Sequence, residues 1–164
     1  PTVMELNPQE KVKELVSRSR VGMLGTLEAG FMRFRPMSHV DIDDDGNIWF
    51  FTSKDSWKAE DIQRNPTVQL IYVNEGDSIY ISIQGKAGIS TDPNRMKELF
   101  NPFVKAWFPN GLKDPSLALL SLHPEEIEYW SNDDSKVLTY IKMLSAAVTG
   151  SRPSVGEHSK LSVK

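Results

Sequence analysis

The 164-residue chain contains no cysteine, which removes disulfides, thiolate zinc sites, iron–sulfur clusters and thiol nucleophiles at once. Long apolar runs are missing too. The longest are a few residues, against about 20 for a membrane-spanning helix, so no membrane partner is expected. Pro1 to Asn7 has no charged start followed by an apolar run, so no signal peptide is expected and a cytoplasmic location is. Basic charge is scarce: 19 Lys and Arg stand against 22 Asp and Glu, a net charge of −3. Proteins that bind duplexes carry a basic footprint, so nucleic acid is not an expected partner. The glycine-rich dinucleotide fingerprint and the phosphate loop are absent. His39, His123 and His158 are scattered, and Asp43-Asp44-Asp45 lacks the later glutamate of a calcium loop, so no metal is expected. No nucleophile elbow or general acid–base pair stands out, and the catalytic residues stay unassigned.

What remains is a chain long enough to bury a core without staples. Asn7 as N-cap, Pro8 in the first helical position and Glu10 at capping-box spacing open a helix. Val12, Leu15 and Val16 form its apolar stripe. From Arg20 the pattern turns to strands: Val21 to Leu27, Phe31 to Ile42 and Ile48 to Thr52. Glu28-Ala29-Gly30 and Asp43-Asp44-Asp45-Gly46-Asn47 read as the turns between them. A helix begins around Ser56 and stops before Asn65-Pro66. Thr67 to Val73 and Ser78 to Ser90 are further strands, with Gly85 and Gly88 as candidate bulges. Thr91-Asp92-Pro93 caps a helix through about Phe100, and Asn101 to Asp114 reads as a loop. Leu117 to Leu122 and Ile127 to Trp130 read as a strand pair joined at His123-Pro124-Glu125. Lys136 to Val148 has helical composition. The division is a domain over 1–150 and a polar, loop-like tail over 151–164, whose composition fits disorder or a strand added across a dimer. Strands and helices do not alternate regularly, so the expected class is mainly β (α+β), an antiparallel barrel with peripheral helices.

The chemistry concentrates where the strand Phe50-Phe51-Thr52 runs into the helix of Ser56-Trp57-Lys58. A helix N-terminus offers unpaired N–H groups and partial positive charge, and so attracts phosphate. Ser53 and Ser56 add hydroxyls. Lys58 in the first turn is mildly unfavourable unless an anion is near; the plainer reading is that Ser53 or Asp55 merely caps the helix and Lys58 is solvated. Arg33 and Arg35, two apart on one strand, share a face. They point to solvent or, beside that helix, form a phosphate clamp. Pro36 suggests a strand edge or bulge. Trp107 and Phe108, between Pro102 and Pro109, are aromatics of the kind that cover a ligand or partner from a loop.

These segments together resemble the pyridoxamine 5′-phosphate oxidase-like FMN-binding split barrels, and within them the bacterial general stress protein branch. The resemblance is carried in order by Arg35-Pro36-Met37, Asp45-Gly46, Ile48 to Thr52, Ser56, Lys58, Asp61-Ile62, Asn65-Pro66, Gly85-Lys86-Ala87, Lys105 to Pro109 and Glu128-Tyr129-Trp130. It implies a homodimer of six-stranded antiparallel split β-barrels with FMN between the subunits. It also implies that Arg35, Ser56 and Lys58, with Ser53 beside them, hold the phosphate. Pro36 and Met37 would lie along the isoalloxazine, with Phe51 and Thr52 beside the flavin. Trp107, and Trp130 in the family often from the second subunit, complete the implied set. Trp57 stands where the oxidases have a second basic residue, Tyr80 replaces a glutamine, and no arginine-bearing substrate motif follows Trp130. Vitamin B6 oxidation is therefore not expected. The implied activity is a flavin-dependent oxidoreductase linked to stress, with a nicotinamide cofactor as electron donor. The alternative is a flavin-binding stress or sensor protein without turnover; a relative taking deazaflavin or haem is a weaker third option.

Overall fold

The computed structural model describes residues 7–131 and 157–162. Among them the chain is mostly β-sheet with four α-helices: α1 Pro8–Ser17, α2 Trp57–Arg64, α3 Pro93–Leu99 and α4 Pro102–Trp107. The strands are β1 Val21–Glu28, β2 Phe31–Ser38, β3 Asp41–Ile42, β4 Ile48–Ser53, β5 Thr67–Asn74, β6 Ile79–Ser90, β7 Leu117–Ser131 and β8 Glu157–Ser162. Every pairing is antiparallel, and the order is β2-β1-β5-β6-β7-β4-β3 with β8 also on β7. The sheet does not close, as a split barrel requires. It has eight strands rather than six, because β3 and β8 are short additions at its margins.

Local chemistry accounts for the boundaries. Asn7 accepts from the Glu10 amide while the Glu10 carboxylate accepts from the Asn7 amide, so α1 begins in a full capping box. Asp43 organises the β3–β4 turn: Oδ1 accepts from the amides of Asp45 and Asn47, and Oδ2 from the Trp49 indole N–H. Gly46 there adopts φ +83°, which a side chain would resist. Burial works against the Asp43 carboxylate, but these bonds outweigh it and hold its pKa below the ordinary value.

Five expectations are corrected. The run Phe31 to Ile42 breaks at His39-Val40, and β3 pairs with β4 instead of continuing β2. His123-Pro124-Glu125 is not a turn. It lies inside the single strand β7, where the register slips between Gln84 and Gly85 so that Gly85 faces Pro124 and Gln84 faces Glu126. The bulge absorbs a proline that a regular ladder would reject. Gly85 is at that irregularity; Gly88 is not, being regularly paired with Ser121. The loop Asn101 to Asp114 holds α4, capped by Asn101, and a short 3-10 turn at Gly111–Lys113. Part of the tail is ordered as β8, paired with β7 of its own chain. The helix expected at Lys136 to Val148 lies outside the described residues.

The core packs against one face of the sheet. Val12, Leu15 and Val16 of α1 and Ile62 of α2 pack with Leu24, Phe50, Leu70, Tyr72 and Ile83, all almost fully buried. Burying each such side chain contributes about 1.5–3 kcal/mol, which fastens both helices to the sheet.

Candidate functional site

β4 leads to α2 through a three-residue turn closed by the Ser56 amide on the Ser53 carbonyl at 3.1 Å. The Ser56 hydroxyl caps α2 by accepting from the Ala59 amide, and the Ser53 hydroxyl accepts from the Asp55 amide. Trp57 and Lys58 occupy the first two helical positions, whose amides have no acceptor within the helix. The inner face of α2 is unusually polar: Lys58 and Asp61 are buried beside Ala59 and Ile62.

Asp61 is the anchor. Its Oδ2 accepts from Thr26 Oγ1 and from Arg33 Nη2, each at 2.9 Å, and its Oδ1 accepts from Arg64 Nη2 at 3.0 Å. Burial alone would push this carboxyl up. The hydrogen bonds from Thr26 and Arg33 and the charges of Arg33 and Arg64 outweigh it, leaving the pKa below the usual carboxylate range. Glu28 also pairs with Arg33. Arg33 therefore faces two carboxylates and has little charge to offer a ligand.

Arg35 and Lys58 differ in this respect. Among the described residues neither has an ion-pair partner, and the Arg35 Nε is buried without a hydrogen bond. Lys58 is only 6% exposed. Burial, then the neighbouring Arg35 charge, push its pKa down to about 8. Burial and Arg33 lower the Arg35 pKa as well, against a smaller opposing pull from Asp61. Both guanidiniums lie against the Trp57 ring, Arg33 Cζ at 3.9 Å and Arg35 Cζ at 3.7 Å from its centroid. Two cations without an ion-pair partner among the described residues, one of them buried, thus stand beside the start of α2, where unpaired amides and partial positive charge favour an anion.

The other expected positions divide into two groups. Thr52, one residue before Ser53, is buried, and its hydroxyl has no hydrogen-bond partner. Phe51 meets Phe100 edge-on at 6.1 Å between centroids. Pro36 and Met37 follow Arg35 on β2, the terminal strand of the sheet, and Met37 is buried. Trp107, by contrast, ends α4 and is 84% exposed. Trp130 lies at the far end of β7 from the residues that pair with Thr52 and Ser53, beside Tyr80 and His158. A single chain does not bring it to Lys58. Thr26 was missed, and Asp61, quoted only among the residues that carry the resemblance, had no role assigned in this region. The available signal was a carboxylate on the inner stripe of α2, between Ala59 and Ile62.

The family model described as "Pyridoxamine 5'-phosphate oxidase like" matches residues 7–154. The chain belongs to the pyridoxamine 5′-phosphate oxidase-like family. Within this family it is 32% identical over 122 residues to general stress protein 26 of Bacillus subtilis (strain 168), covering 73% of this chain and 85% of that protein. A solved general stress protein 26 candidate from Jannaschia sp. CCS1 superposes with a TM-score of 0.74 at 28% identity, covering 94% of each chain. A general stress FMN/FAD binding protein from Xanthomonas citri is 35% identical with a TM-score of 0.66, covering 77% of this chain and 89% of that one. Among the described residues of this oxidase-like protein, no helix is long and apolar enough to cross a membrane.

Proposed function

We propose that this protein binds FMN, with the phosphate held by Arg35, Lys58 and the start of α2, and that it serves as a flavin-dependent oxidoreductase in the stress response. The observation that carries the reading is the buried Lys58, without an ion-pair partner among the described residues, beside Arg35, whose Nε is buried without a hydrogen bond. Holding two cations together with one of them buried is costly unless a dianion arrives to neutralise them. A phosphate monoester carries close to two negative charges at neutral pH. The Xanthomonas citri relative, an FMN/FAD binding protein, points the same way.

When bound, the flavin supplies the redox chemistry, and the protein supplies position and electrostatics. Arg35 and Lys58 fix the phosphate end. Ser53 and Ser56 hold the turn that presents the α2 amides. The partnerless Thr52 hydroxyl offers a buried hydrogen-bond donor, and Pro36, Met37 and Phe51 offer apolar contact. The nicotinamide donor and a cytoplasmic setting belong to the same proposal.

A second copy of the chain would complete the site. The sheet face opposite the core exposes Val73, Tyr80 and Trp130 in a row across three paired strands, with Val21 and Met23 on the same side. Exposed apolar area of this kind marks a contact surface. A homodimer through this face would cover it and bring Trp130, with Trp107, toward the partner's flavin.

The visible spectrum of the purified protein and an FMN titration by fluorescence quenching test the cofactor. FMN should bind at least tenfold more tightly than riboflavin, which lacks the phosphate. Arg35→Ala and Lys58→Ala should each lose on the order of 1.5–3 kcal/mol of FMN binding. Equal affinity for FMN and riboflavin would sink the reading. Bleaching of the bound flavin by a nicotinamide cofactor, reversed by air, marks an enzyme; flavin that stays oxidised marks a passive binder. Light scattering on the eluting protein checks the dimer.

A further inference from the structure

We infer that Trp57 is the positioning residue of the phosphate site, its indole face bracing the Arg35 guanidinium over the start of α2. This rests on the phosphate reading of Arg35 and Lys58 given above.

The two arginines differ in what holds each of them. Arg33 is fixed by hydrogen bonding to Asp61 and by its ion pair with Glu28. Arg35 has neither kind of support: no hydrogen bond or ion pair among the described residues restrains it, and its Nε is buried without a partner. A long side chain in that state would ordinarily sample many rotamers. Instead its Cζ lies 3.7 Å from the Trp57 ring centroid, the closest guanidinium–ring approach among the described residues. The negative face of an indole attracts a guanidinium and leaves its edge N–H groups directed outward for an oxyanion.

Repulsion among the cations acts as well. Arg33 and Arg35 alternate on the same face of β2, and Lys58 stands beside Arg35. Three cations at this spacing push one another apart. A fourth at position 57 would add to that, whereas the indole contacts both guanidiniums without adding charge. Trp57 is itself immobilised, because it is the first residue of a helix capped by Ser56 and anchored by Asp61. The stacked ring thus transfers the rigidity of α2 to a side chain on the sheet edge. The neutral residue next to Lys58 is then a substitute for a second cation rather than a loss of one.

The test uses the full-length protein with FMN and riboflavin as probes. Trp57→Leu keeps apolar bulk without a π face, and Trp57→Phe keeps the π face. The expected result is at least tenfold weaker FMN binding in Trp57→Leu, binding within about threefold of wild type in Trp57→Phe, and riboflavin binding unchanged in both. In the Arg35→Ala background, Trp57→Leu should have no further effect on FMN, since the two residues act through one contact. Thermal melting of each variant accompanies the titrations. The inference is overturned if Trp57→Leu binds FMN like wild type, if its effect adds fully to that of Arg35→Ala, or if FMN and riboflavin weaken together. These outcomes are distinguishable from failure of the phosphate reading, in which Arg35→Ala and Lys58→Ala themselves leave FMN binding unchanged.

Discussion

Thr26 on β1 and Arg33 on β2 face each other across the ladder, and both hydrogen-bond the same carboxylate oxygen of Asp61. One buried charge thereby fastens α2 to the sheet edge that carries Arg35. Asp61→Asn keeps the shape but removes the charge, leaving Arg33 and Arg64 without their shared carboxylate. Because both arginines are partly exposed, the expected loss is about 2–3 kcal/mol, below the range for a fully buried pair. Urea denaturation measures it, and a change under about 0.5 kcal/mol would contradict the anchoring role. The Asp61 pKa is depressed in the fold. Its contribution is therefore present above the unfolded carboxylate value and is lost as pH falls below about 4.

Gly85 and Gly88 have different tolerances although both looked like bulge residues. A Cβ on Gly85 would come 2.2 Å from the His123 carbonyl oxygen, a backbone atom that cannot swing aside. On Gly88 the nearest atom is the Ser121 hydroxyl at 3.8 Å. Gly85→Ala should therefore destabilise by about 1–3 kcal/mol through overpacking. Gly88→Ala should be neutral or stabilising by up to about 1 kcal/mol through the unfolded chain. Paired thermal melts decide this, and equal effects at the two sites would refute it.

The contrast shows what the amino-acid order carries and what it withholds. The capping box at Asn7 and the turn at Asp43 to Asn47 are local, with their partners within a few residues, so both were readable; the cap of α2 is Ser56 rather than the Ser53 or Asp55 that the sequence suggested. His123-Pro124-Glu125 was misread as a turn because its proline is accommodated by a bulge whose other half, Gly85, is distant in sequence. Pro102 suggested a loop, yet with Asn101 as cap it starts α4, the position where a proline costs a helix nothing. The same limit applies to the candidate site. Arg35 and Lys58 could be picked out as cations beside a helix start, but the stacking of Arg35 on Trp57 depends on how β2 lies against α2. Trp57 consequently read as a departure from a basic pattern.

Lys58 should be a liability to the protein without its ligand. Its pKa falls from 10.5 to about 8 in the fold, mostly through burial, so the charged form disfavours folding at neutral pH. Lys58→Met removes that charge at similar volume. The ligand-free variant should be more stable than wild type at pH 7 by about 1–3 kcal/mol, raising the melting temperature by roughly 2–4 °C for each kcal/mol. It should also bind FMN more weakly, by on the order of 1.5–3 kcal/mol, with Arg35 still meeting the phosphate. Wild-type stability should rise between pH 8 and about 10.5, where the unfolded chain holds the lysine proton and the fold has released it; the variant should lack that rise. A lower melting temperature for Lys58→Met would mean that the ammonium has a stabilising partner.

The pH dependence of FMN affinity joins the two ionisations. The phosphate becomes a dianion above about pH 6, and in the ligand-free protein Lys58 is cationic below about 8. Affinity should therefore plateau between these values and decline on either side. On the alkaline side the sign follows from linkage: the bound dianion raises the Lys58 pKa, so above pH 8 the complex must take up a proton that the ligand-free protein has released. Affinity then falls by up to about tenfold per pH unit until the bound-state pKa is reached. Fluorescence titrations at fixed ionic strength measure the profile, since salt screening would otherwise vary with the buffer. In Lys58→Met the alkaline decline should vanish while the acid one persists, because the latter belongs to the phosphate. A wild-type affinity that stays level from pH 8 to 9.5 would remove Lys58 from the phosphate's neighbourhood.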